Sequence, residues 1–447
     1  FNNKFQMRRF YRSHFILANE LDLDSEIFSV PLGEDGRIFY VIPSDSQDLK
    51  EVKQKIKSSE NQQCIFAVPN KVVAIHEAAL EVYAIMCLQE DRDLTSSDPL
   101  ILEELQIMED DARSYLNELV NLVVEPYSDC EWFNVGNKKT FNHRIGFRRW
   151  LSELTKEIFP KTPIINNEIV NRNKPSAPVV NARKKLIEGV LESNGEEFFN
   201  LQDRPDIGAA VVGLARALYE RTGLYIKKGQ RWGFAKGKSI DDEGLRSAWA
   251  CIEDFMTKKS KEPKSFESLI DELQSPPYGI RVGALPVLIA GGVKAFPVST
   301  VLLCDNRYVD DVTPTVIETI CKEPAMFTLH VIKLTKVQQA YLSSVFEMFS
   351  EGSKYTIDEN DLLRACAEAI ASWRDRLSNA SKRSYGLSKE TMNIRSLLSM
   401  QHDPGLVLLS TIPKTFKSEI NYKLTLDELQ KCKNEIEHGV LSNYFER

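Results

Sequence analysis

The stretch SFESLIDELQSPPYGIRVGALPVLIAGGVKAF, residues 265–296, decides how the second half of the chain is read. SFESLIDELQ has the apolar spacing of a short helix behind a Ser265 cap, and SPPYGIR is a turn. GALPVLIAGGVKAF is a second helix, apolar around its circumference and carrying one charge, Lys294. STVLLC and RYVDDV follow as hairpin arms on either side of Asp305-Asn306. Thr313-Pro314 opens a further short helix as cap and first turn, and MFTLHVIKL closes as a strand. Helix, turn, helix and hairpin in this order predict a winged-helix-like module over 263–335. A DNA-reading winged helix presents polar side chains of its second helix to base edges. A helix apolar on all sides is instead a buried one, so the expectation is a structural module without base readout. Arg281 at the helix start and Arg307 at the hairpin tip remain candidates for phosphate contact.

Outward from this module, the N-terminal part reads as a small α/β module over 1–70. GRIFYVIP (36–43) and QCIFAVP (63–69) are buried strands, and SDSQDLKEVKQKIKSS between them is a helix. Residues 71–160 read as helical. Within DPLILEELQIMEDDARSYLNELVNLVV (98–124), Leu100, Leu102, Leu105, Ile107, Met108, Ala112, Leu116, Leu119 and Leu122 recur at helical spacing. That pattern predicts a long amphipathic helix with its acidic face to water. A helical module with a basic hairpin is expected over 161–262, and a C-terminal helical module over 336–447. The fold class is therefore mainly α, multidomain, with small α/β and winged-helix-like (α+β) modules.

The chain has 447 residues, 43% of them apolar, enough for several domains with ordinary cores. Its 57 basic and 64 acidic residues give a formal charge of −7, which argues against a generally basic nucleic-acid binder but not against local basic patches. The chain opens FNNKF without an initiator Met or a secretory pattern, which reads as a fragment or trimmed chain. No apolar run approaches the ~18 residues of a membrane span. Eight cysteines form no CxxC pair and six histidines show no zinc spacing, so the expectation is no metal, no membrane and a reducing cytoplasm.

QRWGFAKGKSIDDEG (230–244) contains Gly237-Lys238-Ser239, the end of a phosphate-binding loop, but Trp232 stands where the first glycine belongs. A charged segment precedes it and three acids follow, so nucleotide binding is not expected, and Ser239 or Asp241 is expected to cap the next helix. TVLLCDN (300–306) imitates a Walker B strand but also forms a hairpin arm. Glu51-Val52-Lys53 imitates a nuclease motif, and helical spacing explains its charges better. No hydrolase signature of the G-x-S-x-G or H-E-x-x-H type occurs.

Two basic stretches stand out. Between 161 and 190, Lys161, Arg172, Lys174, Arg183, Lys184 and Lys185 oppose Glu168 and Glu188. Between 225 and 239, Lys227, Lys228, Arg231, Lys236 and Lys238 meet no acid, and Tyr225, Trp232 and Phe234 are interleaved. Such a segment either combines phosphate contact with base stacking or packs its aromatics inward and its lysines outward. Asn167/Asn171 and Glu168/Arg172, each four apart, would form two polar stripes on a helix, either as a buried network or as a ligand contact.

KTPIINNEIVNRNKPSAPVVNARKKLIEGVL (161–191), SPPYGIRVGALPVLIAGG (275–292) and, more faintly, SYGLSKETMNIRSLLSMQHDPGLVLLS (384–410) resemble the C-terminal half of large bacterial P-loop ATPases of anti-phage defence islands, of the BREX type. The resemblance implies an ATP and magnesium site in an N-terminal module outside this chain, and no catalytic residue within it. It further implies a cytoplasmic region that couples the ATPase to double-stranded DNA and to other defence subunits, as a homo- or hetero-oligomer. Residues matching the family wording are Asn167, Glu168, Asn171, Arg172, Lys174, Ser176 and Arg183. The candidate nucleic-acid contacts are thus Arg172, Lys174, Arg183, Lys184, Lys185, Lys227, Lys228, Arg231, Trp232, Lys236, Lys238 and Arg281. The competing expectation is a scaffold that never touches nucleic acid, and after it an independent ATPase or nuclease.

Overall fold

A computed structural model describes residues 2–445 except Ser97, 126–129, Asp203, Lys261, 297–299, 351–361 and Met400. The chain is mostly helical with small mixed sheets and divides into two compact units, Phe1–Pro160 and Lys161–Arg447.

In the first unit, β1 (Tyr11–Leu17), β2 (Gly36–Ile42) and β3 (Cys64–Pro69) run parallel, with α1 (Ser46–Ile56) between β2 and β3. Asp45 caps α1 by accepting from the Gln47 and Asp48 amides. The sheet continues antiparallel through β4 (Cys130–Asn134) and β5 (Asn137–Lys139). The strands alternate with period two: Ile38, Tyr40, Ile42, Ile65, Ala67 and Trp132 fill one core, while Phe39, Val41, Phe66, Val68 and Phe133 fill the other. The first core also takes Phe147, Trp150, Leu154 and Ile158 of α4 (Arg144–Ile158); the second takes Val52 and Ile56 of α1. Burying phenylalanines such as Phe66 and Phe133 contributes about 1.5–3 kcal/mol each.

The boundary expected at residue 70 therefore falls inside one sheet. Trp132 and Phe133 lie in a region read as helical, yet they are 0% and 1% exposed and belong to opposite faces of that sheet.

Between β3 and β4 stand α2 (Ile75–Glu90) and α3 (Pro99–Val124), the latter capped by Asp98, which accepts from the Leu100 amide. Their mutual core is small: Val82 and Ile85 against Leu105 and Ala112. The apolar series expected on the inner face of α3 is thus divided. Leu105 and Ala112 are buried, Leu116 and Leu119 partly so, and Leu100, Leu102, Ile107, Met108 and Leu122 are exposed.

In the second unit, α5 (Ala177–Glu192) and α6 (Ala209–Ala215) precede a two-stranded hairpin, β6 (Tyr225–Lys228) and β7 (Arg231–Phe234). Then come α7 (Glu243–Thr257), β8 (Lys264–Ser265), α8 (Phe266–Gln274) and α9 (Leu285–Ala295). β9 (Thr300–Cys304), β10 (Arg307–Tyr308), α10 (Pro314–Lys322) and β11 (Phe327–Val331) complete an antiparallel sheet of order β10-β9-β11-β8. Ser265 and Thr313 cap α8 and α10 through the Glu267 and Val316 amides, as their positions predict. Asp305 and Asn306, both at positive φ (48° and 62°), turn the β9–β10 hairpin as a type I′ pair does. Leu285 to Gly292 of α9 are all buried, as its apolar circumference predicts.

The remaining chain is helical. α11 (Lys336–Ser350), α12 (Leu362–Arg376), α13 (Lys389–Leu397) and α14 (Tyr422–Phe445) enclose a second core around Phe349, Ile370, Trp373 and Ile436. His330 of β11 joins this part to the sheet, its Nδ1 lying 2.5 Å from the Asp403 carboxylate.

Candidate nucleic-acid interface

The β6–β7 hairpin is turned by Gly229 and Gln230, with Gly229 at φ +66°. A glycine at the first central position is what a type II′ turn requires. Tyr225 pairs with Phe234 and Lys227 with Trp232, which places these four side chains on one face. Tyr225 is buried, and Trp232 stacks on it at 6.0 Å with 21° between planes. Phe199 lies 4.1 Å from Tyr225, and Phe234 stacks on Trp249 at 5.7 Å. The Trp232 amide donates to the Gly195 carbonyl at 2.8 Å, anchoring the outer strand.

Beneath this cluster, Phe198, Phe199 and Asn200 take left-handed φ values of 48°, 56° and 54°. Three such residues in succession store about 1–2 kcal/mol each, which the aromatic packing offsets. Arg216 lies over the Phe198 ring at 5.7 Å, and Phe198 is 6.4 Å from Trp232. Neither residue is marked in the sequence, because they meet the hairpin only through the fold.

The cations project from this base. Lys227, Arg231, Lys236 and Lys238 are exposed and carry no ion pair among the described residues. Lys228, also exposed, folds back to donate to the Phe234 carbonyl. Gly237-Lys238-Ser239 is a single 3₁₀ turn, not a strand-to-helix loop. The helix beyond it, α7, is capped by Asp242 rather than by Ser239 or Asp241: its carboxylate accepts from the Leu245 amide at 2.7 Å. A carboxylate thus occupies the helix N-terminus that a phosphate would need.

The other candidates separate from the hairpin. Arg183 is 3% exposed and Arg281 4%, so neither is available to a phosphate, against expectation. Arg183 forks onto Glu318 of α10 and also donates to the Val282 and Gly283 carbonyls. Lys185 is held by the Asp206 carbonyl at 2.6 Å and lies 3.6 Å from its carboxylate. Lys174, just ahead of α5, is exposed and Lys184, midway along it, partly so, both without an ion pair among the described residues.

The segment 161–176 is not the helix that the spacing of its polar residues suggests. Asn167 accepts from the Ile169 and Val170 amides in an Asx turn, and the buried Asn171 donates to the Ile165 carbonyl. Glu168 and Arg172 do meet, at 3.5 Å, as an exposed pair. The Arg172 carbonyl accepts from the Gly283 amide, and a Cβ on Gly283 would stand 2.0 Å from the Val170 carbonyl oxygen. The two stretches of recognisable wording, 161–191 and 275–292, are therefore one backbone-to-backbone junction closed by Arg183. Ser176 precedes α5 without a side-chain capping bond.

The imitation motifs have structural explanations. Asp305 turns a hairpin, Lys53 pairs with Glu131 at 2.9 Å, and Glu51 accepts from Gln47 within α1. Among the described residues no helix is long and apolar enough to cross a membrane. No protein-family description, curated protein or solved structure matches the chain.

Proposed function

We propose that this chain is a non-catalytic region of a defence-type ATPase that engages the phosphate backbone of double-stranded DNA through the 225–239 hairpin. The observation that carries the reading is the set Lys227, Arg231, Lys236 and Lys238: four exposed, uncompensated cations on one short segment of a chain with charge −7. The aromatics argue for phosphate over base stacking, because Trp232 is already stacked on Tyr225 and backed by Phe198. Residues 263–335 are read as winged-helix-like from their helix–turn–helix–hairpin order, with α10 inserted before the last strand. Their buried second helix supports binding without base readout. The resemblance of 161–191 and 275–292 to defence ATPases supplies the context: ATP and magnesium bind in a module outside this chain, in the cytoplasm, beside other defence subunits.

Fluorescence anisotropy on a short random-sequence duplex tests this. Four phosphate contacts predict a slope of log K against log salt of about −3 to −4. The pair Lys227→Glu and Arg231→Glu should flatten that slope by about 2 and leave sequence preference unchanged. Absence of binding at low salt sinks the proposal in favour of the scaffold reading.

A further inference from the structure

Helix α3 carries an outward face that its own fold leaves uncovered. Leu100, Ile107, Met108, Tyr115 and Leu122 are 64%, 58%, 52%, 51% and 53% exposed. At 100° per residue they lie within one stripe about 100° wide, beside the stripe that packs on α2. From Leu100 to Leu122 of this 26-residue helix the stripe runs about 33 Å. At about 200 Å² for a large side chain, roughly 500 Å² of apolar surface is open, the upper range for a patch on a monomer.

The same stripe carries Glu104, Asp111 and Glu118, one heptad apart and each a turn from the apolar residues. All three are exposed and without an ion pair among the described residues. Arg113, the one cation on α3, is on a different face, held by Glu109 at 2.5 Å. Between Ile75 and Val124 stand twelve acidic residues against Arg92 and Arg113 alone, so α2 and α3 concentrate the acidity of the chain.

We infer that this face of α3 is a docking surface for a basic amphipathic helix of another protein. Its occupant would offer an apolar stripe flanked by Lys or Arg one turn apart. Charge decides the occupant. A second copy of α3 would set three carboxylates against three, and an anionic lipid surface would be repelled in the same way. A cationic helix covers the apolar side chains and pairs the three acids together. This inference does not depend on the DNA-binding hairpin, which lies in the other unit.

The test uses the whole chain and a fluorescent synthetic helix with Leu at heptad a and d positions and Lys flanking them, beside the same peptide with Glu for Lys. The Lys peptide should bind and the Glu peptide should not. The variant Glu104→Lys/Asp111→Lys/Glu118→Lys should bind the Lys peptide about tenfold more weakly or worse, and should gain affinity for the Glu peptide. The control Glu77→Lys/Glu81→Lys/Glu90→Lys makes the same charge change on exposed positions of α2 and should bind within about twofold of the parent. Equal loss in both variants would reduce the effect to diffuse negative charge and overturn the inference. So would sedimentation showing a dimer that Tyr115→Ser dissociates, since a second copy would then be the occupant. Circular dichroism confirms that each variant keeps its helices.

Discussion

Arg183 closes on Glu318 through two parallel hydrogen bonds, Nε to Oε1 at 2.7 Å and a terminal nitrogen to Oε2 at 2.5 Å, with both side chains 4% exposed. Such a fork is a geometry Lys cannot reproduce. Arg183→Ala leaves a buried carboxylate unpaired and should cost about 3–5 kcal/mol in urea unfolding. Replacing both partners, Arg183→Met with Glu318→Leu, should cost much less, because no charge is then stranded. A single variant of native stability that had lost DNA affinity would return Arg183 to the interface.

Gly283 is demanded by close approach and not by its φ. Gly283→Ala would press a methyl group on the Val170 carbonyl oxygen, 2.0 Å from the Cβ position. Overpacking of this kind costs about 1–3 kcal/mol or more. The same exchange at Gly213, where nothing lies within 4 Å, should be neutral or slightly stabilising in a thermal melt.

Glu435 sets a pH dependence. Burial raises its carboxyl, but hydrogen bonds from Thr391 and from the Ser388 amide and hydroxyl more than reverse this, leaving it below the ordinary value. A carboxyl depressed in the folded state stabilises above its unfolded pKa of about 4.3, and that stability is lost as pH falls through the folded value. Glu435→Gln should therefore lower stability at pH 7 and flatten its fall below about pH 4, measured by urea midpoints across pH.

Thiol chemistry should single out Cys87, which is exposed on α2. Burial pushes Cys64, Cys251 and Cys366 up to about 12, so almost none of their thiolate is present at neutral pH. Brief alkylation of the native chain should modify Cys87 first by mass spectrometry, and equal labelling of Cys64 would contradict its packing.

Much of the local structure was legible. The continuous apolar runs at 36–43 and 63–69 are the strands β2 and β3, and Ser265 and Thr313 are caps because their side chains reach amides two or three residues ahead. The apolar circumference of α9 foretold its burial, and Asp305-Asn306 foretold the β9–β10 hairpin. Each signal acts within one turn or one strand pair. β4 escaped because its register is set by β3, with Phe133 opposite Phe66, 67 positions earlier in the chain.

The sequence by itself determined many of the local elements, among them β2, β3, α9 and the turn at Asp305-Asn306, and where positive charge accumulates, since these follow from apolar runs, turn chemistry and composition. Only the tertiary structure decided which charges are free. Arg183 is consumed by a carboxylate 135 positions away, whereas Lys227 and Arg231 meet none. It also decided which half of the α3 apolar pattern is covered, because α2 supplies one partner face and a helix has two. Burial and pairing are properties of what comes to lie alongside, and a residue's neighbours in space are not written in its neighbours along the chain.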